Sequence, residues 1–449
     1  MSFTSSRAAG DARRPGLLAD EQDEFRVTAA SASDHAAIHH FLVDVFQQPS
    51  AAEFQAQLEE PSYEPTDRLL IKRPGQIIAH VRTVHRQMRF GAVVLPYGYL
   101  ADLAVLAPYR GRGYGSALLA EAERRIERSG AVFGLVRAVR PEFYERRAWV
   151  RCGCDRCSIG APRDILAHLS ESESPRRWRL EREPPPLHIR FWRRYELAAL
   201  VRLYDENTRG AYGPSVRSEA FWRWLVGRRA CDRIYVAIEG SPHVELGDSL
   251  SSIVGYAFMK DGRIVELMTA SARSDAAFRL LARACGDAIE NDLHEIRLDA
   301  PPDHPLHPKI AAVAGARCCA RAEDGNPFLV KVFDLARLVE RLGRILRARA
   351  AAAQLPMPCE LGLVLDGERF VLEITAGASR LVPGKLRRSH LRSTRADFVR
   401  LLLGDVDVQE AADCGRIAPS TQLALHTART LLPRLPLWYP PLDDLPADV

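Results

Sequence analysis

No apolar run in the sequence approaches the ~18 residues that a membrane helix requires. The first 24 residues mix Ser, Gly, Arg, Asp and Glu and lack the apolar core of a secretory signal; they read as a flexible tail, and the chain is expected in the cytoplasm. A large excess of one charge is missing too. The 62 Lys and Arg against 57 Asp and Glu leave +5 over 449 residues, too little to suggest a nucleic-acid binder. Arg176-Arg177-Trp178-Arg179 and Phe191-Trp192-Arg193-Arg194-Tyr195 therefore read as solvated faces and packing aromatics. A complete metal-ligand set is also lacking. Of nine cysteines, Cys152, Cys154 and Cys157 cluster, but the adjacent pair Cys318-Cys319 is distant and poorly spaced to complete a zinc site. Prolines keep His304 and His307 off a common helical face, so no metal is expected. With 47% apolar and 27% charged residues, the chain reads as an ordinary globular protein long enough for about three domains.

Periodicity divides it. Residues 25–160 read as strand, two helices, three strands, helix, strand, short helix and strand, a mixed α/β order. Within it, Tyr114 to Arg128 carries apolar residues at helical spacing: Ala117, Leu118, Ala122 and Ile126. Charge and proline dominate the linker, residues 161–188. A second α/β unit spans 189–326, with strands expected at Ile234–Ile238, Ile253–Met259, Ile264–Leu267 and Ile296–Leu298. The third unit, 327–449, is expected to open on an arginine-rich helix from Phe328. A hairpin follows across Asp366-Gly367, and the chain ends in an extended proline-rich segment from Leu435.

The densest chemistry lies between Leu103 and Leu119. A strand runs into Arg110-Gly111-Arg112-Gly113-Tyr114-Gly115-Ser116, and a helix follows at once. Alternating glycines let backbone N–H groups crowd toward one anion, and the helix N-terminus adds unpaired donors and a favourable dipole. A plain chain reversal would need one glycine, not three among two arginines. A dinucleotide fold would place its glycines directly after the strand and an acid at the end of the next; here Pro108-Tyr109-Arg110 intervenes and the next strand ends at Arg137-Ala138. The Gly-Lys-Ser/Thr of nucleotide-triphosphate loops is absent. The pyrophosphate of coenzyme A fits best.

Val105-Leu-Ala-Pro-Tyr-Arg110-Gly-Arg-Gly-Tyr-Gly115 resembles the acetyl-CoA motif of the GNAT acetyltransferase superfamily, Arg/Gln-x-x-Gly-x-Gly/Ala, with the proline one place later than usual. Phe143-Tyr144-Glu-Arg-Arg-Ala148-Trp149 resembles its Phe-Tyr-x-x-x-Gly-Phe segment, with Ala148 for glycine and Trp149 for phenylalanine. The resemblance implies acetyl-CoA as co-substrate, held by Leu103, Ala104, Val105, the loop Arg110–Ser116, Val139 and Arg140. It implies direct acetyl transfer to an amine, with Tyr144 protonating the departing thiolate and N–H groups of the Leu103–Val105 strand stabilising the carbonyl oxygen.

The second unit lacks the loop. After Ile264–Leu267 it reads Met-Thr-Ala-Ser-Ala-Arg-Ser-Asp-Ala-Ala-Phe278, without glycine, as a copy that has lost coenzyme binding. Gly362 to Ile374 and Leu401-Leu-Leu-Gly404 look like a sterol-carrier-protein fold. This order, an active copy, a degenerate copy and a sterol-carrier-like domain, resembles the enhanced-intracellular-survival (Eis) acetyltransferases. That resemblance implies primary-amine acceptors such as aminoglycosides, polyamines or lysine side chains, a homo-oligomer reaching the hexamer, and a terminal carboxylate acting as base. Val449 supplies that carboxylate here, with Asp443, Asp444 and Asp448 as further candidates. The competing reading is a lipid or acyl-CoA carrier that holds coenzyme A without catalysing transfer.

Overall fold

A computed structural model describes residues 25–153, 156–173, 185–240, 252–320, 327–386 and 388–445. The expected N-terminal tail, the Arg176–Arg179 stretch, Cys154, Asp448 and Val449 lie outside them. Three mixed sheets organise the described chain. The first runs Val27–Ala29, Arg68–Arg73, Gln76–Phe90, Val93–Val105, Phe133–Arg137, Phe328–Val332, Val150–Arg151, and Tyr212–Ser215 pairs with the end of Gln76–Phe90. The second runs Arg317–Ala320, Arg156–Gly160, Ile296–Asp299, Arg263–Thr269, Ile253–Lys260, Arg233–Glu239, Leu187–Phe191. The third comprises Ser379–Pro383, Glu368–Ile374, Cys359–Leu365, His390–Ser393 and Ile417–Pro419. The element order through Val27–Arg151 is the one expected, and the sheets are mixed, as an α/β reading with two similar copies requires.

Strand pairing crosses the chain divisions expected at 160 and 327. Arg156–Gly160 joins the second sheet, between Ile296–Asp299 and Arg317–Ala320. Phe328–Val332 returns to the first sheet and pairs antiparallel with Phe133–Arg137. That segment was expected as helix. Phe-Leu-Val-Lys-Val instead offers aromatic and β-branched side chains that suit a strand, and Phe328, Leu329 and Val330 are all buried. The arginine-rich helices begin only afterwards, at Leu335–Arg341, where the Asp334 side chain accepts the Arg337 N–H, and continue at Gly343–Ala352. The first unit thus lends Arg156–Gly160 to the second sheet, while the second unit's Tyr212–Ser215 and the third unit's Phe328–Val332 join the first.

The helix Tyr114–Arg128 lies on the first sheet through Tyr114, Leu118, Leu119, Ala122 and Ile126, all buried. Leu118, Leu119 and Ile126 each contribute about 1.5–3 kcal/mol by leaving water. The third sheet shares a continuous core with the first: Leu342, Leu363, Phe398 and Leu431 pack with Phe90, Leu95, Tyr97 and Phe133. The final segment is anchored rather than merely extended. Trp438 N–H donates to the Tyr212 carbonyl at 2.9 Å, and a 3-10 turn, Pro441–Asp444, follows. Gly213 permits this approach, since a Cβ there would stand 2.2 Å from the Trp438 carbonyl oxygen. Among the described residues, no helix is long and apolar enough to cross a membrane.

Candidate active site

The site opens where two parallel strands part. Val93–Val105 and Phe133–Arg137 pair from Tyr97 opposite Phe133 to Leu100 opposite Val136. Beyond Leu100, the strand stays on its other neighbour, whereas Arg137 pairs with Phe328. A bulge helps to open this wedge. Ala101 faces Arg82 and Ala104 faces His80, so Asp102 and Leu103 stand opposite Val81 alone, and Asp102 adopts φ +54°. His80, fully buried, donates from Nδ1 to the Asp102 carbonyl at 2.9 Å while Nε2 accepts from Arg68 at 3.2 Å. Burial, reinforced by Arg68, pushes the His80 pKa down to about 3, so the ring stays neutral and keeps the tautomer that holds the bulge.

The wedge is part of a cleft of about 1240 Å³. Leu103, Ala104, Val105, Arg110, Gly111, Gly113, Tyr114, Gly115, Ser116, Val139, Arg140 and Tyr144 all line it. Arg112 does not; its guanidinium lies 5.9 Å from the Tyr109 ring centre. At the loop end, Gly111 (φ +79°) and Gly113 (φ +88°) take left-handed conformations that L side chains rarely adopt, and a Cβ on either would meet open space. The Gly113 carbonyl accepts the first helical bond, from Ala117, leaving the N–H groups of Tyr114, Gly115 and Ser116 without helical acceptors. Glycines with free space above them and unpaired N–H groups at a helix start fit a pyrophosphate. Arg147 stacks on Phe143, 4.1 Å to the ring centre, and donates to the Ser116 hydroxyl, adding positive charge beside the loop. Val139 is 77% exposed, an apolar side chain on the cleft's rim.

Tyr144 sits on the short helix Pro141–Glu145, its ring edge-on to Phe143 and Trp149. It is 8% exposed, and burial raises the phenol's pKa above its usual value, which keeps it protonated. A proton held there can be handed to sulfur as the thiolate leaves.

The far wall comes from three separate parts of the chain. Glu60 follows an early helix, Trp224 and Arg228 belong to the second unit, and Asp443, Asp444 and Leu445 come from the final turn. Asp443 is held tightly: Arg217 donates from Nε to its Oδ1 at 2.8 Å and from both Nη atoms to Glu266 at 2.9 and 2.6 Å. All three side chains are fully buried. The Arg217 guanidinium also lies 4.0 Å from the Tyr204 ring centre, and Tyr256 donates to Glu266 at 2.8 Å. This clamp leaves the next residue, Asp444, in the cleft. Its Oδ1 is 3.7 Å from Arg86 and accepts from Tyr439 at 3.4 Å, while Oδ2 is buried without a hydrogen-bond partner. Burial raises the Asp444 pKa against the opposing pull of Arg86 and Arg137.

Of the tail, Asp443, Asp444 and Leu445 line the cleft; Val449, whose carboxylate the resemblance put forward, lies outside the described residues. Arg217, Glu266 and Arg228 were not foreseen. Arg217 meets Asp443 across 226 residues of sequence separation, and no local pattern signals that pairing. The cysteine cluster is divided: Cys152 is buried beside the first sheet, whereas Cys157 is a strand residue of the second. His307 is a core histidine hydrogen-bonded to Ser158 at 2.8 Å.

Residues 26–152, which build the wedge, the loop and the Tyr144 helix, match the family model described as an acetyltransferase (GNAT) domain. The first unit is thereby similar to a GNAT acetyltransferase domain over the stretch that carries the site. Solved structures resemble nearly the whole chain. A GCN5-related N-acetyltransferase from Anabaena variabilis superposes with TM-score 0.66 at 14% identity, covering 93% of this chain and 99% of that one. One from Kribbella flavida gives 0.66 at 16% identity over 92% and 99%. Eis1 from Mycobacterium abscessus gives 0.59 at 15% identity over 92% and 100%. At these identities the likeness is one of fold. No curated protein matches the chain by sequence.

Proposed function

We propose that the protein is an N-acetyltransferase that moves an acetyl group from acetyl-CoA directly to a primary amine. The observation that carries this reading is one cleft in which the glycine loop, the protonated Tyr144 and the carboxylate of Asp444 meet. The co-substrate supplies an acetyl thioester. The loop from Arg110 to Ser116 and the helix N-terminus hold its phosphates, with Leu103–Val105, Val139 and Arg140 along its length. Asp444 takes a proton from the incoming ammonium, and the freed amine nitrogen bonds to the acyl carbon. Backbone N–H groups of Leu103–Val105 carry the charge that gathers on the carbonyl oxygen. As the carbon–sulfur bond breaks, Tyr144 gives its proton to the sulfur; the second proton of the new amide nitrogen leaves through solvent and restores the tyrosine, and Asp444 releases to solvent the proton it took from the ammonium.

In this reading Asp444 takes the base role that the resemblance gave to the Val449 carboxylate. Asp443 is engaged by Arg217 and positions its neighbour. Amines of the aminoglycoside, polyamine and lysine type form the starting acceptor class. The sterol-carrier-like third domain and assembly up to a hexamer belong to the same reading, and light scattering tests the latter. The carrier alternative gives no role to a buried tyrosine and a buried carboxylate facing the loop.

The test is thiol release from acetyl-CoA with a panel of amines. Acceptor-dependent release is expected. Tyr144→Phe should lower turnover by about 10²–10⁴-fold while coenzyme affinity stays within about twofold. Asp444 must be ionised to act, so kcat/KM should rise with pH through its raised pKa, and Asp444→Asn should remove that acid limb. Unchanged turnover in Tyr144→Phe, or an acid limb that survives in Asp444→Asn, would refute the corresponding role.

A further inference from the structure

Charge at the acceptor end of the cleft is paired, with one exception. Glu60 accepts from Arg86 at 2.7 Å and from Arg82 at 3.5 Å. Asp102 lies 3.7 Å from Arg82 and 4.0 Å from Arg68. Asp443 is clamped by Arg217, and Asp444 lies near Arg86. Arg228 lines the same end and has no carboxylate within 4.0 Å among the described residues. Among the described residues its guanidinium donates from Nη2 to the Leu442 carbonyl at 2.5 Å, and its Nε, like those of Arg82 and Arg86, is buried without a partner. Its place is fixed from below. The guanidinium lies 4.4 Å from the Trp224 ring centre, and the Trp224 indole donates to the Ala56 carbonyl at 2.7 Å. Burial, with Arg86 nearby, pulls the Arg228 pKa down to about 10 against the weaker opposing pull of Asp443 and Glu60, neither of which reaches it as an ion pair.

The same end holds the opposite kind of vacancy. Asp102, Asp443 and Asp444 each keep one buried carboxylate oxygen, Oδ2, without a hydrogen-bond partner. Such acceptors suit an ammonium, and an orphaned guanidinium edge suits an anion. An unpaired buried group of either sign is costly until a ligand meets it.

We infer that Arg228 forms an anion subsite and that the acceptor is an amine that also carries a carboxylate, its ammonium at Asp444 and its carboxylate at Arg228. This rests on the acetyl-transfer reading and narrows it. Simple diamines and polyamines, which bring a second cation to Arg228, become the poorer acceptors. Arg228 acts on specificity through binding and has no part in the proton transfers.

The experiment compares acceptors matched in length, 5-aminopentanoate and 1,5-diaminopentane, on the full chain with acetyl-CoA. The wild type is expected to favour the amino acid by about tenfold or more in kcat/KM, the size of one charge-assisted hydrogen bond. In Arg228→Gln the ratio should fall to within about threefold, through KM for the carboxylate acceptor, and Arg228→Lys should restore part of it. Unaltered coenzyme affinity in both variants shows that they fold. A wild-type preference for the diamine, equal use of the two, or a preference that survives in Arg228→Gln overturns the subsite. Absence of thiol release with every amine would instead count against acetyl transfer. Calorimetric titration of 5-aminopentanoate into the CoA-loaded chain then judges the subsite alone: binding weakened in Arg228→Gln supports it, and binding absent or unaffected overturns it.

Discussion

After the strand Val93–Val105, the first unit makes a 3-10 turn at Ala107–Tyr109, passes Gly111 and Gly113, and enters the helix Tyr114–Arg128. After Arg263–Thr269, the second unit makes a 3-10 turn at Ser271–Arg273 and enters the helix Asp275–Glu290 directly. In both, the strand is paired in parallel with the next one only over part of its length. The helix starts differ. The first leaves its N–H groups open beneath a glycine loop. The second covers its own: Arg273, 7% exposed, reaches Glu239 and both oxygens of Asp275 and donates to the Pro185 carbonyl at 3.1 Å. The Asp275 pKa is lowered by Arg273 first, and also by the backbone N–H groups of Asp275 and Ala276. A carboxylate of the chain itself thus stands where the first unit has room for a phosphate. What the second unit contributes instead is Arg217 and Arg228, which hold and face the tail at the first unit's cleft. One copy of the architecture carries the loop, and the other completes the wall opposite it.

The strongest way to break this comparison is at the open loop. Gly113→Glu places a side chain on a φ +88° residue and a negative charge at the anion site. Coenzyme A affinity is expected to fall by about 100-fold or more in calorimetric titration, since both the loop conformation and the electrostatics oppose binding. Near-normal affinity in a folded variant would remove the loop from the site.

A smaller effect is expected at the clamp. Arg217→Gln leaves Glu266 and Asp443 buried without their cation, and breaking a buried pair costs about 3–5 kcal/mol. The tail should loosen first, because it is bound by fewer contacts than the strand that carries Glu266. Turnover is expected to drop about tenfold, with the acid limb of kcat/KM moving toward the ordinary aspartate range as Asp444 becomes solvated. Coenzyme affinity should hold within about twofold. Removal of residues 443–449 should reproduce the loss of turnover. Wild-type turnover in either variant would mean that the tail is an ornament of the cleft.

How far these features could be read in advance follows from their range. The loop was legible because its signal is local: glycines, arginines and a helix start within seven residues, and open space confirmed above each left-handed glycine. The α/β order and the missing second loop were legible for the same reason. Strand exchange was not, since Phe328–Val332 carries no mark of the sheet it joins. The far wall was not either. Its residues come from Glu60, Trp224–Arg228 and Asp443–Leu445, and only packing brings them together. Of the tail's four carboxylates, the sequence ranked the terminal one first by resemblance. Asp444 stands in the cleft because Asp443 is caught by a buried arginine 226 residues away.

The smallest expected effect sharpens the comparison most. If the second unit is closed by its whole turn, and not by a single side chain, then Asp275→Ala should leave coenzyme binding at one equivalent per chain. Asp275 is half exposed, so losing its pair with Arg273 and its place at the helix start should cost under about 1 kcal/mol, seen as a slight fall in thermal midpoint. Titration counts the sites directly. A second equivalent of bound coenzyme A would show that one carboxylate alone kept the second unit shut. The turn argues otherwise. Every residue from Ser271 to Ala277 carries a Cβ, and Arg273 would still fill the approach through Glu239 and the Pro185 carbonyl. Reopening this site is expected to require glycines as well as the removal of charge, so the proposed binding in the first unit should depend on Gly111 and Gly113 and its absence in the second on the whole segment.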